Sequence, residues 1–102
     1  MTARLRADLR VTSLKRIVEA RGDFFTIVKQ GHPEAGVIHV IVGHRGAWTL
    51  ISEGAGGWVL RLETTARDEI DRTLEREARF DPDHWAIEIE GRLSLDDLAA
   101  MI

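Results

Sequence analysis

The chain has 102 residues, a length that predicts a single domain over residues 1–102. Its lack of cysteine excludes a disulfide framework and any thiolate nucleophile or metal ligand. The net charge of −3 argues against a general nucleic-acid binder. No apolar run approaches the ~18 residues that cross a membrane, and the first residues lack the apolar stretch of a secretory signal, so we expect a cytoplasmic protein.

Basic residues are concentrated at the start of the chain. Residues 1–21 hold six basic and two acidic side chains, so the rest of the chain carries a net charge of −7. Such a segment can contact phosphates or an acidic partner, through Arg4, Arg6, Arg10, Lys15 and Arg16. The simpler interpretation is that these charged ends are solvated while their stems cover apolar surface.

The first half of the chain predicts a strand, a helix and four more strands. Residues 3–9 predict the short first strand. The helix that follows is capped by Thr12 or Ser13 through a side-chain oxygen, and Gly22 ends it in a left-handed conformation. The next strands are predicted at residues 24–30, 37–42, 48–52 and 58–63. Their connections are too short for crossovers and therefore predict antiparallel hairpins.

The second half predicts a helix, a strand and a short helix. Thr65 opens the first of these helices, with Asp68 as the acidic partner of a capping box, and Pro82 ends it. A sixth strand follows over residues 84–91, and Ser94 with Asp97 forms a second capping box at the start of the last helix. The order is β-α-β-β-β-β-α-β-α, an α+β fold in which an antiparallel meander of five to six strands carries two main helices and a short C-terminal helix.

The strands differ in how many apolar faces they have. The sixth strand alternates apolar and acidic residues, which predicts one solvated face, whereas the second and third are apolar on both faces and must be covered twice. The first two helices can cover one face, and the terminal segments, the last helix or another molecule can cover the other. We therefore expect one of two arrangements. Either helices cover both faces of the sheet in a monomer, or a second copy or another protein docks on the sheet. The interface candidates are Phe25, Ile27, Val37, His39 and Ile41.

The densest polar cluster is the turn between the second helix and the sixth strand. Asp81 and Asp83 beside His84 are able to bind a divalent ion or to share a proton, and Arg79 is near enough in sequence to pair with either acid. These four residues are the weak catalytic candidates. A structural role is simpler, because aspartates in turns accept bonds from nearby backbone N–H groups.

No other motif predicts a cofactor or a metal site. His39 lies mid-strand among apolar residues, where it is either a tuned base or ligand or a core histidine with one hydrogen bond. No two histidines have the spacing of a compact metal site. The glycine run EGAGG lies between two strands, without the lysine and helix of a phosphate-binding loop.

Two segments of the chain carry a family resemblance. The tract EIDRTLEREARFDPDHWAIEIEGR, together with PEAGVIHV, resembles domain of unknown function family 1491, a family of small, mostly alphaproteobacterial proteins. The resemblance covers roughly residues 3–92. It departs from the family at Arg10, where members often carry tryptophan, and at the short EGAGG connection. It implies a bacterial cytoplasmic protein and implies no reaction, ligand or catalytic residue.

The sequence thus favours a non-catalytic binding or assembly module. One alternative is a small enzyme, or a ligand or metal sensor, that uses the Asp81, Asp83 and His84 turn. A weaker alternative is nucleic-acid binding through the basic N-terminal segment, which would decline steeply with salt.

Overall fold

The computed structural model describes residues 6–101 and contains three helices and five strands. In chain order these are α1 (Ala7–Ala20), β1 (Phe24–Lys29), β2 (Ile38–His44), β3 (Ala47–Gly54), β4 (Gly57–Thr64), α2 (Arg67–Phe80), β5 (Trp85–Glu90) and α3 (Leu95–Met101). The α+β class is as predicted, and from α1 onward the order of elements matches the prediction. No helix within residues 6–101 is long and apolar enough to cross a membrane.

The sheet is mixed, so the predicted antiparallel meander is only partly right. The strand order is β1-β5-β2-β3-β4. The hairpins β2–β3 and β3–β4 are antiparallel, as predicted. The predicted pairing of β1 with β2 is wrong, because β5 inserts between them, antiparallel to β1 and parallel to β2. The chain reaches this parallel position through β3, β4 and α2, a connection long enough for a crossover.

The beginning of the chain is helical where a strand was predicted. Residues 7–9 belong to α1, and residues 3–5 of the predicted strand lie outside the described residues. Helical periodicity explains the difference: the buried positions of α1 are Ala7, Val11, Leu14 and Val18. Thr12 does not cap the helix, since its hydroxyl donates to the Asp8 carbonyl at 2.9 Å. The predicted end at Gly22 is confirmed by its φ of 88°.

The helices cover both faces of the sheet and form two cores. On one face, Val18 of α1 and Leu98 of α3 pack with Val40 of β2. On the other, Ile70 of α2 packs with Ile41 of β2. The expectation that the first two helices share a face is therefore wrong, because α1 shares its face with α3 and α2 covers the opposite face.

Position in the sheet decides how deeply each strand is buried. β2 lies at the centre and is buried on both faces from Ile38 to Gly43, which confirms the prediction of double cover for this strand. β1 lies at the edge and is largely exposed, so this chain alone does not cover both of its faces. The predicted solvated face of β5 is wrong over Ala86 and Glu88, because β5 is an inner strand and α2 covers that face.

One of the two predicted capping boxes forms. The Ser94 hydroxyl accepts from the Asp97 N–H at 3.1 Å, and the Asp97 carboxylate accepts from the Ser94 N–H at 2.9 Å. The pair predicted for α2 is wrong, because the helix begins at Arg67 and no side chain caps it. Instead, the Thr64 hydroxyl accepts a bond from the Ala66 N–H at 2.9 Å.

Candidate functional site

The turn between α2 and β5 is held mainly through its backbone carbonyl groups. The Asp81 carbonyl accepts from Nδ1 of His84 at 2.8 Å, and the Asp83 carbonyl accepts from the His32 N–H at 2.9 Å. The Lys29 ammonium donates to the Pro82 and His84 carbonyls, each at 2.8 Å. These bonds join the turn to the end of β1 and to the loop before β2, so the turn positions several parts of the fold.

The two aspartates of this turn have different environments. Oδ1 of Asp81 accepts from the Asp83 N–H at 3.2 Å, which is the turn role predicted for Asp81. Within residues 6–101, the Asp83 carboxylate makes no hydrogen bond or ion pair, and Arg79 pairs with neither acid. Both aspartates border a cavity of about 600 Å³ that also touches Glu34. The turn therefore combines a structural carboxylate with an exposed one.

The His84 side chain points away from that cavity and into the protein. It is 1% exposed, and its ring meets the His39 ring edge to face, with the centroids 5.0 Å apart. Because a carbonyl only accepts, the bond to Asp81 places a proton on Nδ1 of His84. The structure therefore brings His84 together with His39 rather than with the carboxylates of Asp81 and Asp83.

His39 connects this pair to a polar chain beneath α2. Its Nδ1 lies 2.6 Å from the Ser52 hydroxyl, which also accepts from Arg61 at 3.4 Å. Arg61 pairs in turn with Glu77 of α2. Burial, and secondarily the neighbouring His84, lower the pKa of His39 to about 4. The hydrogen bond from Arg61 lowers the pKa of Glu77.

This polar chain has the residue types of a serine nucleophile with its base, but it lacks access to solvent. Ser52 is 2% exposed and His39 is 3% exposed. A nucleophile must reach a substrate carbonyl, and α2 covers this part of the sheet. The arrangement therefore supports a structural network that fastens α2 to β2 and β3.

A buried charge pair lies on the opposite face of the sheet. Nη2 of Arg10 in α1 contacts Oε1 of Glu53 in β3 at 2.6 Å, and both side chains are about one-tenth exposed. The same carboxylate oxygen accepts from the Ile38 N–H at 2.9 Å. This pair separates the cavity beside Asp81 and Asp83 from a larger one of about 820 Å³ between α1 and α3.

The interface candidates lie in three different environments. His39 and Ile41 are buried by the chain's own α2 and are not available to a partner. Phe25 is half-buried against the core beneath α1 and α3. Ile27 and Val37 are exposed by 46% and 36%.

Three of the basic N-terminal candidates in the described part of the chain are paired with carboxylates, whereas Arg16 is exposed on α1. Arg10 is buried against Glu53, Arg6 donates to Asp8 at 3.2 Å, and Lys15 donates to Glu19 at 2.9 Å. Arg4 lies outside the described residues. Within the described part of the chain, no group of three or more histidine or carboxylate side chains is arranged to hold a metal ion.

The comparison with known proteins decides the family. A family model described as "Protein of unknown function (DUF1491)" matches residues 5–97. The chain belongs to the DUF1491 family. This confirms the resemblance predicted from its two motifs, and the family description assigns no activity.

Solved structures of relatives share the fold of this DUF1491 protein. A crystal structure of a DUF1491 family protein from Caulobacter crescentus CB15 is 36% identical with a TM-score of 0.79, over 86% of this chain and 87% of that one. The solution structure of protein Atu0922 from A. tumefaciens is 32% identical with a TM-score of 0.83, over 98% and 96%. An NMR structure of a C. crescentus DUF1491 protein is 33% identical with a TM-score of 0.75, over 89% of each chain. A search of curated proteins found no match.

The two motifs that resemble the DUF1491 family meet in space. A Cβ atom added to Gly36 of the PEAG segment would collide with the Asp83 carbonyl of the FDPD segment. Gly36 also has a φ of 114°, which favours glycine. The indole N–H of Trp85 donates to the His32 carbonyl at 2.9 Å across the same junction. The shared motifs therefore encode the packing of the loop before β2 against the turn.

Sequence reasoning missed several polar residues of both buried networks. Ser52, Arg61 and Glu77 lie on three different elements, and only the hairpin pairing and the position of α2 bring them together. The EGAGG run predicts only a connection between strands, whereas its first residue, Glu53, pairs with Arg10 43 residues away in the chain. The available signal was the alternation of the strand, which places Glu53 on the same face as the apolar residue Ile51.

Proposed function

We propose that this protein is a non-catalytic assembly module in which β1 pairs antiparallel with β1 of a second copy. The observation that carries the proposal is an edge strand with apolar residues exposed to solvent. Phe24 is 70% exposed, Ile27 is 46% exposed and Val28 is 47% exposed. Edge strands present unpaired backbone groups and are usually protected from other chains, and contiguous exposed apolar residues mark interaction sites.

The sequence of β1 is complementary to itself. Residues directly opposite each other in an antiparallel pair point to the same face of the sheet. A two-fold axis through Thr26 satisfies this requirement and sets Phe24 opposite Val28, and Phe25 opposite Ile27. Each opposed pair is apolar, and the two five-stranded sheets become one continuous sheet. Val28 lies in the β-bulge between Ile27 and Lys29, so the regular part of the pairing spans Phe24 to Ile27 and the contact between Phe24 and Val28 lies at its margin.

The buried polar groups support a module without catalysis. The side chains with the chemistry of a nucleophile and a base, Ser52, His39 and His84, are each at most 3% exposed. The remaining carboxylate of the predicted cluster, Asp83, is exposed without a recorded partner within residues 6–101. The apolar edge of β1, in contrast, is accessible to a partner.

Two experiments test the proposal: measurement of the oligomeric state, and exchange of charges at Thr26. Multi-angle light scattering at several hundred micromolar protein is expected to give twice the 11.5 kDa chain mass. Thr26→Lys is expected to give monomers because two lysines would face each other across the axis, and Thr26→Asp is expected to do the same. An equimolar mixture of the two variants is expected to recover the dimer.

A matched pair of valines provides the control. Val28 in β1 and Val59 in the opposite edge strand β4 are 47% and 48% exposed. Val28→Lys is expected to weaken the dimer, and Val59→Lys is expected to leave it intact, while both keep a cooperative melting transition. A wild-type monomer at millimolar concentration, or equal effects of the two substitutions, would overturn the proposal. Capture of an extended segment of another protein by β1 would also overturn self-assembly.

A further inference from the structure

We propose that the cleft between α1 and α3 binds a small organic cation that has an apolar body. The cleft has a volume of about 820 Å³, within the ~300–1,000 Å³ typical of small-molecule sites. α1 contributes Ser13 and Ile17, β4 contributes Trp58, and α3 contributes Leu95 and Met101. This inference uses a different surface from the β1 edge and does not depend on assembly.

The apolar part of the cleft fits a flat or branched hydrocarbon group. Trp58 is half-buried, and together with Leu95 and Met101 it packs against the core cluster of this face. Ile17 completes the apolar lining from α1. A tryptophan wall favours aromatic bodies through stacking and favours cations through the negative face of its ring.

The charges of the cleft favour a cation over an anion. Arg10 and Glu53 line one side and neutralise each other at 2.6 Å. Asp96 lines the α3 side, and within residues 6–101 it has no recorded ion pair. The lining therefore carries a net negative charge next to an aromatic face. Beside this neutralised pair, the uncompensated charge of Asp96 repels a ligand carboxylate and attracts an ammonium group.

The mouth of the cleft is bordered by glycines, so few side chains block access to it. Gly54, Gly56 and Gly57 of the β3–β4 hairpin border it. A Cβ atom added to Gly56 or Gly57 would meet nothing within 4 Å. The hairpin thus leaves room for a ligand to enter between the helices without rearrangement of the core.

Three probes of one shape test the charge preference. Phenethylamine, 2-phenylethanol and 3-phenylpropionate share a phenyl ring and a two-carbon stem, and they carry positive, neutral and negative ends. In two-dimensional ¹⁵N NMR titrations, phenethylamine is expected to shift the Ser13, Gly56 and Trp58 indole resonances and to bind at least fivefold more tightly than 3-phenylpropionate. Shifts confined to other surfaces, or equal affinity for the anion, would overturn the proposal.

Two variants with matched controls locate the site. Ala99→Leu fills the cleft and is expected to weaken all three probes at least fivefold, whereas Ala100→Leu places the same side chain on a neighbouring exposed position outside the cleft lining. Asp96→Asn is expected to reduce the preference for phenethylamine severalfold, and Asp68→Asn removes an equal charge from exposed α2 without effect. Equal behaviour of a variant and its control would refute the site.

Discussion

The imidazole rings of His39 and His84 meet edge to face beneath α2, with ring planes at 81° and centroids 5.0 Å apart. His39 lies in β2 and His84 directly precedes β5, and these two strands are neighbours in the sheet although they are distant in the sequence. A hydrogen bond to Ser52 holds the His39 ring, and a hydrogen bond to the Asp81 carbonyl holds the His84 ring. Their burial has a consequence for the response of the fold to acid.

The low pKa of His39 predicts acid-sensitive stability. Its pKa of about 4 lies below the ordinary value of 6.5, so the unfolded chain binds a proton first as the pH falls. Native stability is therefore lost between pH 6.5 and pH 4, and this group accounts for about 2 kcal/mol between pH 7 and pH 5. Urea denaturation across this range measures the loss.

His39→Gln removes the titrating group and is expected to flatten this slope between pH 7 and pH 5. The variant also loses the hydrogen bond between the His39 imidazole and the Ser52 hydroxyl, so its free energy of unfolding at pH 7 is expected to be lower by about 1 kcal/mol. An unchanged slope in the variant would contradict the assignment to His39.

The buried pair of Arg10 and Glu53 predicts strong energetic coupling. Arg10→Met leaves a carboxylate buried without its cation and is expected to destabilise the fold by about 3 kcal/mol, and Glu53→Gln by a similar amount. The double variant is expected to lose less than the sum of the two. A double-mutant cycle from chemical denaturation measures the coupling.

An exposed ion pair provides the comparison for that cycle. Asp68 and Arg72 are spaced i,i+4 on α2, with side chains 69% and 60% exposed. Asp68→Asn is expected to change stability by less than about 0.5 kcal/mol. A similar cost at both sites would show that burial does not determine the strength of the Arg10 pair.

The two aspartates of the turn are expected to respond differently to alanine substitution. Asp81→Ala removes the acceptor of the Asp83 N–H and is expected to cost about 1 kcal/mol. Asp83→Ala removes an exposed carboxylate and is expected to stay within about 0.5 kcal/mol of the wild type. Differential scanning calorimetry distinguishes them, and an equal loss for both would argue against the turn role of Asp81.

The junction between the two shared motifs is expected to be intolerant of a methyl group. Gly36→Ala adds a Cβ atom against the Asp83 carbonyl at a φ of 114°, and we expect a loss of about 2–3 kcal/mol. Gly56→Ala adds the same group in open space and is expected to be nearly neutral. Thermal unfolding of both variants measures the contrast, and a tolerated Gly36→Ala would contradict the packing argument.

Local elements were largely predictable because their signals are local. Ile70 and Leu74 of α2 are spaced four residues apart and are both buried, as an apolar helical stripe predicts. The Ser94 capping box forms because both partners lie within one turn. The strand predicted over residues 3–9 is wrong at residues 7–9, because burial at Ala7 and Val11 continues the helical period of α1.

The candidate site was predictable only in part. Asp81 was expected to accept a backbone bond, and it does so. The partner of His84 was not predictable, because His39 lies on a strand that only the parallel pairing of β5 with β2 brings alongside. Contacts of this kind depend on strand order, which no local pattern encodes.

By itself, the sequence determined the helices and strands after the first residues, the α+β class and the family, since periodicity, turn residues and motifs act over short distances. The tertiary structure alone decided that β5 lies between β1 and β2. That insertion places β2 at the covered centre and β1 at the exposed edge, although both strands are similarly apolar in sequence. Burial depends on which strands and helices become neighbours, and this is settled by packing across the whole sheet rather than by the composition of one strand.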